Sequence, residues 1–133
     1  MIFSSFMKDY FVKGGLQRGD KVLLHSDLKY IFKALLKKKV IFNINNIADS
    51  ILDFLGPSGT LILPTFNFDF CKGKSFSFLD TKSQMVILSE ILRNKNKPNR
   101  TWHPVYSFSI HGNIPDDEIK KKKLQCIWQR LNF

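Results

Sequence analysis

The chain has 133 residues, enough for one domain with its own core and too few for two. Hydrophobic residues make up 44% of it, including 13 phenylalanines, which argues against a disordered chain. The formal net charge of +10 favours phosphates, nucleic acid or a polyanionic cofactor as partners, or else marks a solvated lysine-rich surface. That charge is concentrated in two runs, Lys37-Lys38-Lys39 and Lys120-Lys121-Lys122-Lys123, rather than spread along a groove.

Cys71 and Cys126 lie far apart, without metal spacing or a disulfide framework, which suits a reduced, cytoplasmic setting. The first residues lack a basic segment followed by a clean apolar one, so no signal peptide is expected. No apolar run approaches the ~18 residues of a membrane span.

Taken in order, Phe3, Phe6, Met7, Tyr10 and Phe11 follow helical spacing and predict an amphipathic first helix that stops at Gly14-Gly15. Gly19-Asp20 then turns into a short strand over 21–25, expected to be buried, which empties into His25-Ser26-Asp27. Residues 29–39 read as a short helix, with Ser26 and Asp27 as its caps or as ligand-binding groups. A stripe of Ile44, Ile47, Ala48, Ile51, Leu52 and Leu55 predicts a helix over 46–55, ended by Gly56 and Pro57. Thr60-Leu61-Ile62-Leu63 is nearly all apolar and reads as a strand buried on both faces. A helix between two such strands implies an α/β layered fold. It also puts His25-Ser26-Asp27 and Pro64-Thr65-Phe66 on one edge of the sheet, the edge where open α/β sheets bind ligands.

Residues 67–80 carry Phe68, Phe70, Phe76 and Phe78 in an irregular stretch, expected to fold over something rather than stand in water. Thr81-Lys82-Ser83-Gln84 has the form of a capping box and predicts a helix with Met85, Leu88, Ile91 and Leu92 inward, ending near Arg93. After a polar linker, the alternation Val105-Tyr106-Ser107-Phe108-Ser109-Ile110 predicts a half-buried strand, closed by His111-Gly112-Asn113.

His25, His103 and His111 show no metal-ligand spacing, and no nucleophile elbow, Walker loop or GxGxxG is present, so no metal is expected. For His103 the simplest role is a bond to the backbone beside Pro104. A polar strand-end cleft, a basic surface and an aromatic lid together suit a phosphate-bearing, partly apolar ligand.

Four stretches in order resemble the aminoglycoside 3-N-acetyltransferase family: residues 19–28, Leu55-Gly56-Pro57-Ser58-Gly59-Thr60 through Phe66, Phe78 to Arg93, and Arg100-Thr101-Trp102-His103-Pro104-Val105-Tyr106-Ser107. The resemblance implies a three-layer α/β/α sandwich, incomplete here, as the amino-terminal half of that fold. It implies acetyl-CoA as co-substrate and an aminoglycoside or amino sugar as acceptor. By carry-over, His25 and Ser26 would contact the pantetheine arm, and Thr65 and Phe66 would line its channel. Arg100, Thr101, His103 and Ser107 would lie close to the cofactor. Asp27 stands where the family usually has a second serine, putting an anion near an anionic cofactor. The family continues for roughly as much chain again, in which a histidine and a carboxylate act as base and partner. A remnant that holds coenzyme A without turnover, and a small basic nucleic-acid-binding protein, are the competing readings. The second lacks any recognisable RNA or DNA module.

On this reading residues 1–115 are the acetyltransferase part and 116–133 a basic tail. An incomplete sandwich would expose a sheet edge and self-associate. The tail reads either as a basic C-terminal helix or as the product of a frameshift, since four lysine codons form an adenine-rich, slippery tract. Under the frameshift reading, the bases after the Lys120–Lys123 codons encode the family's Phe-Gly segment and second half once advanced by one. Sequencing the coding DNA past codon 133 checks this, and shifted-frame bases encoding nothing family-like would end it.

Overall fold

The computed structural model describes residues 2–25 and 27–113. Five elements precede the site: helix α1 (Phe3–Lys13), strand β1 (Lys21–Leu23), helices α2 (Lys29–Lys37) and α3 (Ile44–Leu55), and strand β2 (Thr60–Pro64). A 3-10 turn at Asp69–Lys72, helix α4 (Ile87–Lys95) and strand β3 (Phe108–Gly112) complete them. The fold is α/β, with helices packed on a three-stranded sheet of order β1-β2-β3.

The central strand β2 pairs parallel with β1, with Leu23 opposite Ile62, and antiparallel with β3, with Ile62 opposite Ile110. Strand side chains alternate between faces, so Leu61 and Leu63 share one face and Ile62 takes the other. Leu61 and Leu63 are buried in a single core with Met7, Leu35, Ile47 and Leu88 from the four helices. Their burial fits the near-continuous apolar run of β2, with Ile62 half-buried.

The opposite face carries Leu23, Ile62 and Ile110 in one row across the strands. Leu23 is 64% exposed there. Strand β1 is therefore not the buried strand expected from its apolar run. It pairs only with β2 among the described residues, and just three of its residues are in ladder register.

Helix α3 follows its sequence signals closely. The Asn43 side chain accepts a bond from the Asn45 amide at 2.9 Å and caps its start. Gly56 ends it with φ at +71°, a conformation that costs glycine little and other residues more. Its apolar stripe buries Ile47, Ala48, Ile51 and Leu55. Helix α1 ends at Lys13, just before Gly14 and Gly15, as expected.

Helix α4 departs from expectation. It begins at Ile87, so Thr81-Lys82-Ser83-Gln84 does not cap it. Two of those side chains bond elsewhere instead, Thr81 to a local turn and Gln84 to the chain after β2. The Thr81 hydroxyl accepts from the Ser77 amide at 2.7 Å, and the Gln84 side-chain oxygen accepts from the Phe68 amide at 2.9 Å. Met85 consequently lies before the helix and is only half-buried.

Strand β3 also shifts, to Phe108–Gly112 rather than 105–110. Backbone pairing with the chain after β2 nevertheless begins earlier, through the Thr65 amide to Ser107 O at 2.8 Å and the Asn67 amide to Val105 O at 3.0 Å. Gly112 lies so close to Gly59 that a Cβ would fall 2.1 Å from the Gly59 carbonyl oxygen. The expectations for Ser26, Cys126 and residues 116–133, including the tail's reading frame, fall outside the described residues.

Candidate functional site

Because β1 and β2 run parallel, both deliver their carboxyl ends to one edge of the sheet. The Leu24 amide still bonds Ile62 O at 2.8 Å, so His25 and Asp27 leave the sheet there, beside the departure of Thr65 and Phe66. His25 and Asp27 are exposed. Asp27 accepts a bond from the Lys29 amide at 3.0 Å in the turn before α2, whose N-cap position is Leu28 and carries no side-chain cap.

Behind that edge lies a buried polar knot. Arg100 is fully buried, with 0% of its surface exposed. It donates from Nε to Ser107 Oγ at 2.9 Å and from Nη2 to the Thr65 carbonyl at 3.1 Å. From Nη1 it donates to the carbonyls of Phe78 and Thr81. The Ser107 hydroxyl lies 2.9 Å from both Thr65 Oγ1 and Thr65 O. The Phe76 ring covers the guanidinium at 5.0 Å. Thr65, Arg100 and Ser107, far apart in sequence, are thus brought into one cluster.

Among the described residues, no carboxylate bonds Arg100 directly. Burial pushes its pKa down to about 10, with the nearby Arg93 cation acting in the same direction and Glu90 opposing it. Glu90 instead holds Arg93 through a two-pronged pair, Nε to Oε2 at 2.8 Å and Nη2 to Oε1 at 2.6 Å. Burial disfavours its charge, but the bonds from Arg93, the Ser83 amide and Asn94 outweigh that and hold the carboxyl below its ordinary value. The Glu90–Arg93 spacing on α4 carried the only advance signal of this pair.

Above the knot, the irregular stretch 67–80 does cover something, as expected. Phe66 meets Tyr106 and Phe108 edge-on, each at 5.2 Å, and Phe68 meets Tyr106 at 6.0 Å. Phe78 stacks flat on Trp102 at 4.2 Å. Thr101 is tied to β3, its hydroxyl accepting from the Phe108 amide and its own amide bonding Phe108 O, both at 2.9 Å. Trp102 and Tyr106 were not singled out from the sequence, where aromatics resembled core spacing.

His103 turns its Nδ1 to the backbone, accepting from the Val105 amide at 3.1 Å and the Tyr106 amide at 2.8 Å. An accepting Nδ1 places the proton of the neutral ring on Nε2. Burial lowers the pKa of His103 and favours that neutral form. His111 is buried within β3, its Nε2 lying 2.9 Å from Ser109 Oγ. Burial also lowers its pKa, Lys95 adding to the effect and a bond to the Leu92 backbone opposing it.

A groove of about 560 Å³ lies elsewhere, between α1 and α3, floored by Phe3, Phe11 and Phe54. None of the strand-end residues line it. Among the described residues, no group of histidine, cysteine and carboxylate side chains could hold a metal ion. No described helix is long and apolar enough to cross a membrane.

These loops at the carboxyl edge of an α/β sheet define a half-sandwich with a strand-end wall. The sequence profile of the aminoglycoside 3-N-acetyltransferase family matches residues 23–129, and the chain belongs to that family. Solved structures share its fold. The crystal structure of the aminoglycoside acetyltransferase AAC(3)-Xa superposes with a TM-score of 0.65 at 23% identity, over 83% of this chain and 43% of that one. The YokD protein from Bacillus subtilis gives 0.67 at 20% identity, over 83% and 50%. AAC-IIIb, solved with CoASH, gives 0.64 at 16% identity, over 85% and 47%. The chain therefore spans about half the length of the structures it matches. Among curated proteins no relative matches.

The knot predicts a clear stability effect. Arg100→Met leaves the Thr65, Phe78 and Thr81 carbonyls and Ser107 Oγ short of a donor, and should cost about 3 kcal/mol in urea unfolding. Arg100→Lys should recover little, because one ammonium cannot span four acceptors held by a planar fork. A wild-type midpoint for the lysine variant would show that the fork is not what holds the lid.

Proposed function

We propose that the chain provides the coenzyme A-holding half of an N-acetyltransferase of its family's type. Acetyl-CoA is the co-substrate, and an amino group of an aminoglycoside or amino sugar is the acceptor. The observation that carries this reading is the parallel β1–β2 pairing, which sends both family-matching loops from one edge of the sheet. The likeness to AAC-IIIb, a protein solved with CoASH, supports the choice of cofactor.

On this reading, His25, Ser26 and Asp27 and the Thr65–Phe66 loop line the pantetheine channel. Thr101 and His103 flank it. Arg100, Ser107 and the Thr65 hydroxyl act from beneath, fixing the wall rather than meeting the ligand. In the reaction, the amine nitrogen attacks the thioester carbonyl, the C–S bond breaks, and coenzyme A leaves as its thiol. The nitrogen must lose a proton to a base. His103 is not assigned that task, since its Nδ1 lone pair already accepts two backbone amides. A reduced, cytoplasmic setting and the division at residue 115 belong to the same proposal.

Coenzyme A should raise the melting temperature, by about 2.7 kcal/mol of added stability at a hundredfold excess over Kd. Thiol release from acetyl-CoA should follow on adding an aminoglycoside or amino sugar. A shift without thiol release identifies a coenzyme A-holding protein that does not turn over. Absence of any shift overturns the reading.

We further propose self-association through β1 and the Leu23–Ile62–Ile110 row. Sedimentation should show mass rising with protein concentration, and Leu23→Lys should reduce it. A monomer at every concentration would rule this out.

A further inference from the structure

Resting on the coenzyme A reading above, we propose that Trp102 is the stacking platform for the adenine ring of that cofactor. The indole is 58% exposed although it is among the largest apolar side chains. Its other face is covered by Phe78, with centroids 4.2 Å apart and planes 8° from parallel. An aromatic ring held flat on one side and open on the other is a prepared surface for a second flat ring.

The chain on either side of the ring is also fixed. Thr101 on one side is fixed by its two bonds to Phe108. His103 on the other is fixed by the two amides its Nδ1 accepts. Beneath, the Phe78 carbonyl is bonded by Arg100. A side chain with so little left to order loses little on binding.

Position selects the ligand. Phe108 pairs with Pro64, so Thr101 and Trp102 sit at the carboxyl end of β2, where Thr65 and Phe66 leave. Charge selects it further. Of the carboxylates of the covering segment and of α4, Asp69 is paired with Lys72 and Lys74 and Glu90 with Arg93, which leaves Asp80, bonded to the Ser77 hydroxyl, as the one not paired with a cation among the described residues. A polycationic sugar would need such anions. An uncharged purine borne on a polyphosphate needs only the ring face, and the chain's net charge of +10 attracts its phosphates.

The test compares Kd values for coenzyme A and for pantetheine, which lacks the adenine, in the full chain. Trp102→Ala should weaken coenzyme A about tenfold, within the range of base–aromatic stacking, and leave pantetheine unchanged. Trp102→Phe should restore most of the loss. In a Trp128→Phe background, adenosine 3′,5′-bisphosphate should quench the fluorescence of Trp102, while pantetheine should not. Equal weakening of both ligands would make Trp102 a structural residue and overturn the inference. Unaltered coenzyme A binding in Trp102→Ala would overturn it too, with the coenzyme A reading intact. If the wild-type chain binds neither ligand, both readings fall together.

Discussion

The strand-end architecture depends on one desolvated cation. Taking the Arg100 guanidinium out of water carries a large cost, and among the described residues no carboxylate bonds it to offset that cost. What compensates is four hydrogen bonds to oxygens from three regions: the end of β2, the approach to β3, and the covering segment before α4. Two of those oxygens, the Phe78 and Thr81 carbonyls, draw on no other side-chain donor among the described residues, while Thr65 O and Ser107 Oγ also bond each other. The cation and its acceptors therefore depend on one another, and the segment 67–86 is fixed to the sheet through them. The planar fork matters because a single point charge cannot reach three diverging carbonyls. The Phe76 ring then closes the cluster from the remaining side.

This arrangement explains the composition of the covering segment. A loop with Phe66, Phe68, Phe76 and Phe78 would be a liability on an open surface. Here its carbonyls meet Arg100 and its rings pack on Tyr106, Phe108 and Trp102. The backbone half of the segment satisfies the buried cation, and the aromatic half shields it. The result is a wall with little freedom, standing at the edge where two parallel strands end. Such rigidity suits a long, flexible cofactor, because the protein side of the contact is already ordered.

Much of this was legible in advance, and the misses have physical causes. Helix α3 and strand β2 follow from local signals, an Asn43 cap, a Gly56 stop and an unbroken apolar run, which no distant contact opposes. The box at Thr81 to Gln84 misleads because the Thr81 hydroxyl turns back to the Ser77 amide and the Gln84 side chain reaches Phe68, so neither is left to cap α4. In β3 the alternation shows a strand but not its inner face. Ser107, Ser109 and His111 point inward, against the usual preference for polar side chains outside, because Thr65, Arg100 and each other satisfy them. Arg100 itself is expected, by resemblance, only to lie close to the cofactor. Only burial shows that its donors are turned toward the protein. The exposure of Leu23 was equally hidden, since an apolar strand reads the same at an edge as in the middle of a sheet.

The three histidines show what this half of the fold offers to acyl transfer. His111 is enclosed between β3 and α4 with Ser109 on its Nε2, out of reach of any substrate. His103 stands at the wall, but its Nδ1 accepts two amides, so the proton of the neutral ring sits on Nε2. Protonating it would cost both of those bonds, and burial already disfavours the charge. His25 is the exposed member of the set, where β1 ends. What the described residues present at this edge of the sheet is therefore built from hydroxyls, backbone groups and aromatic faces.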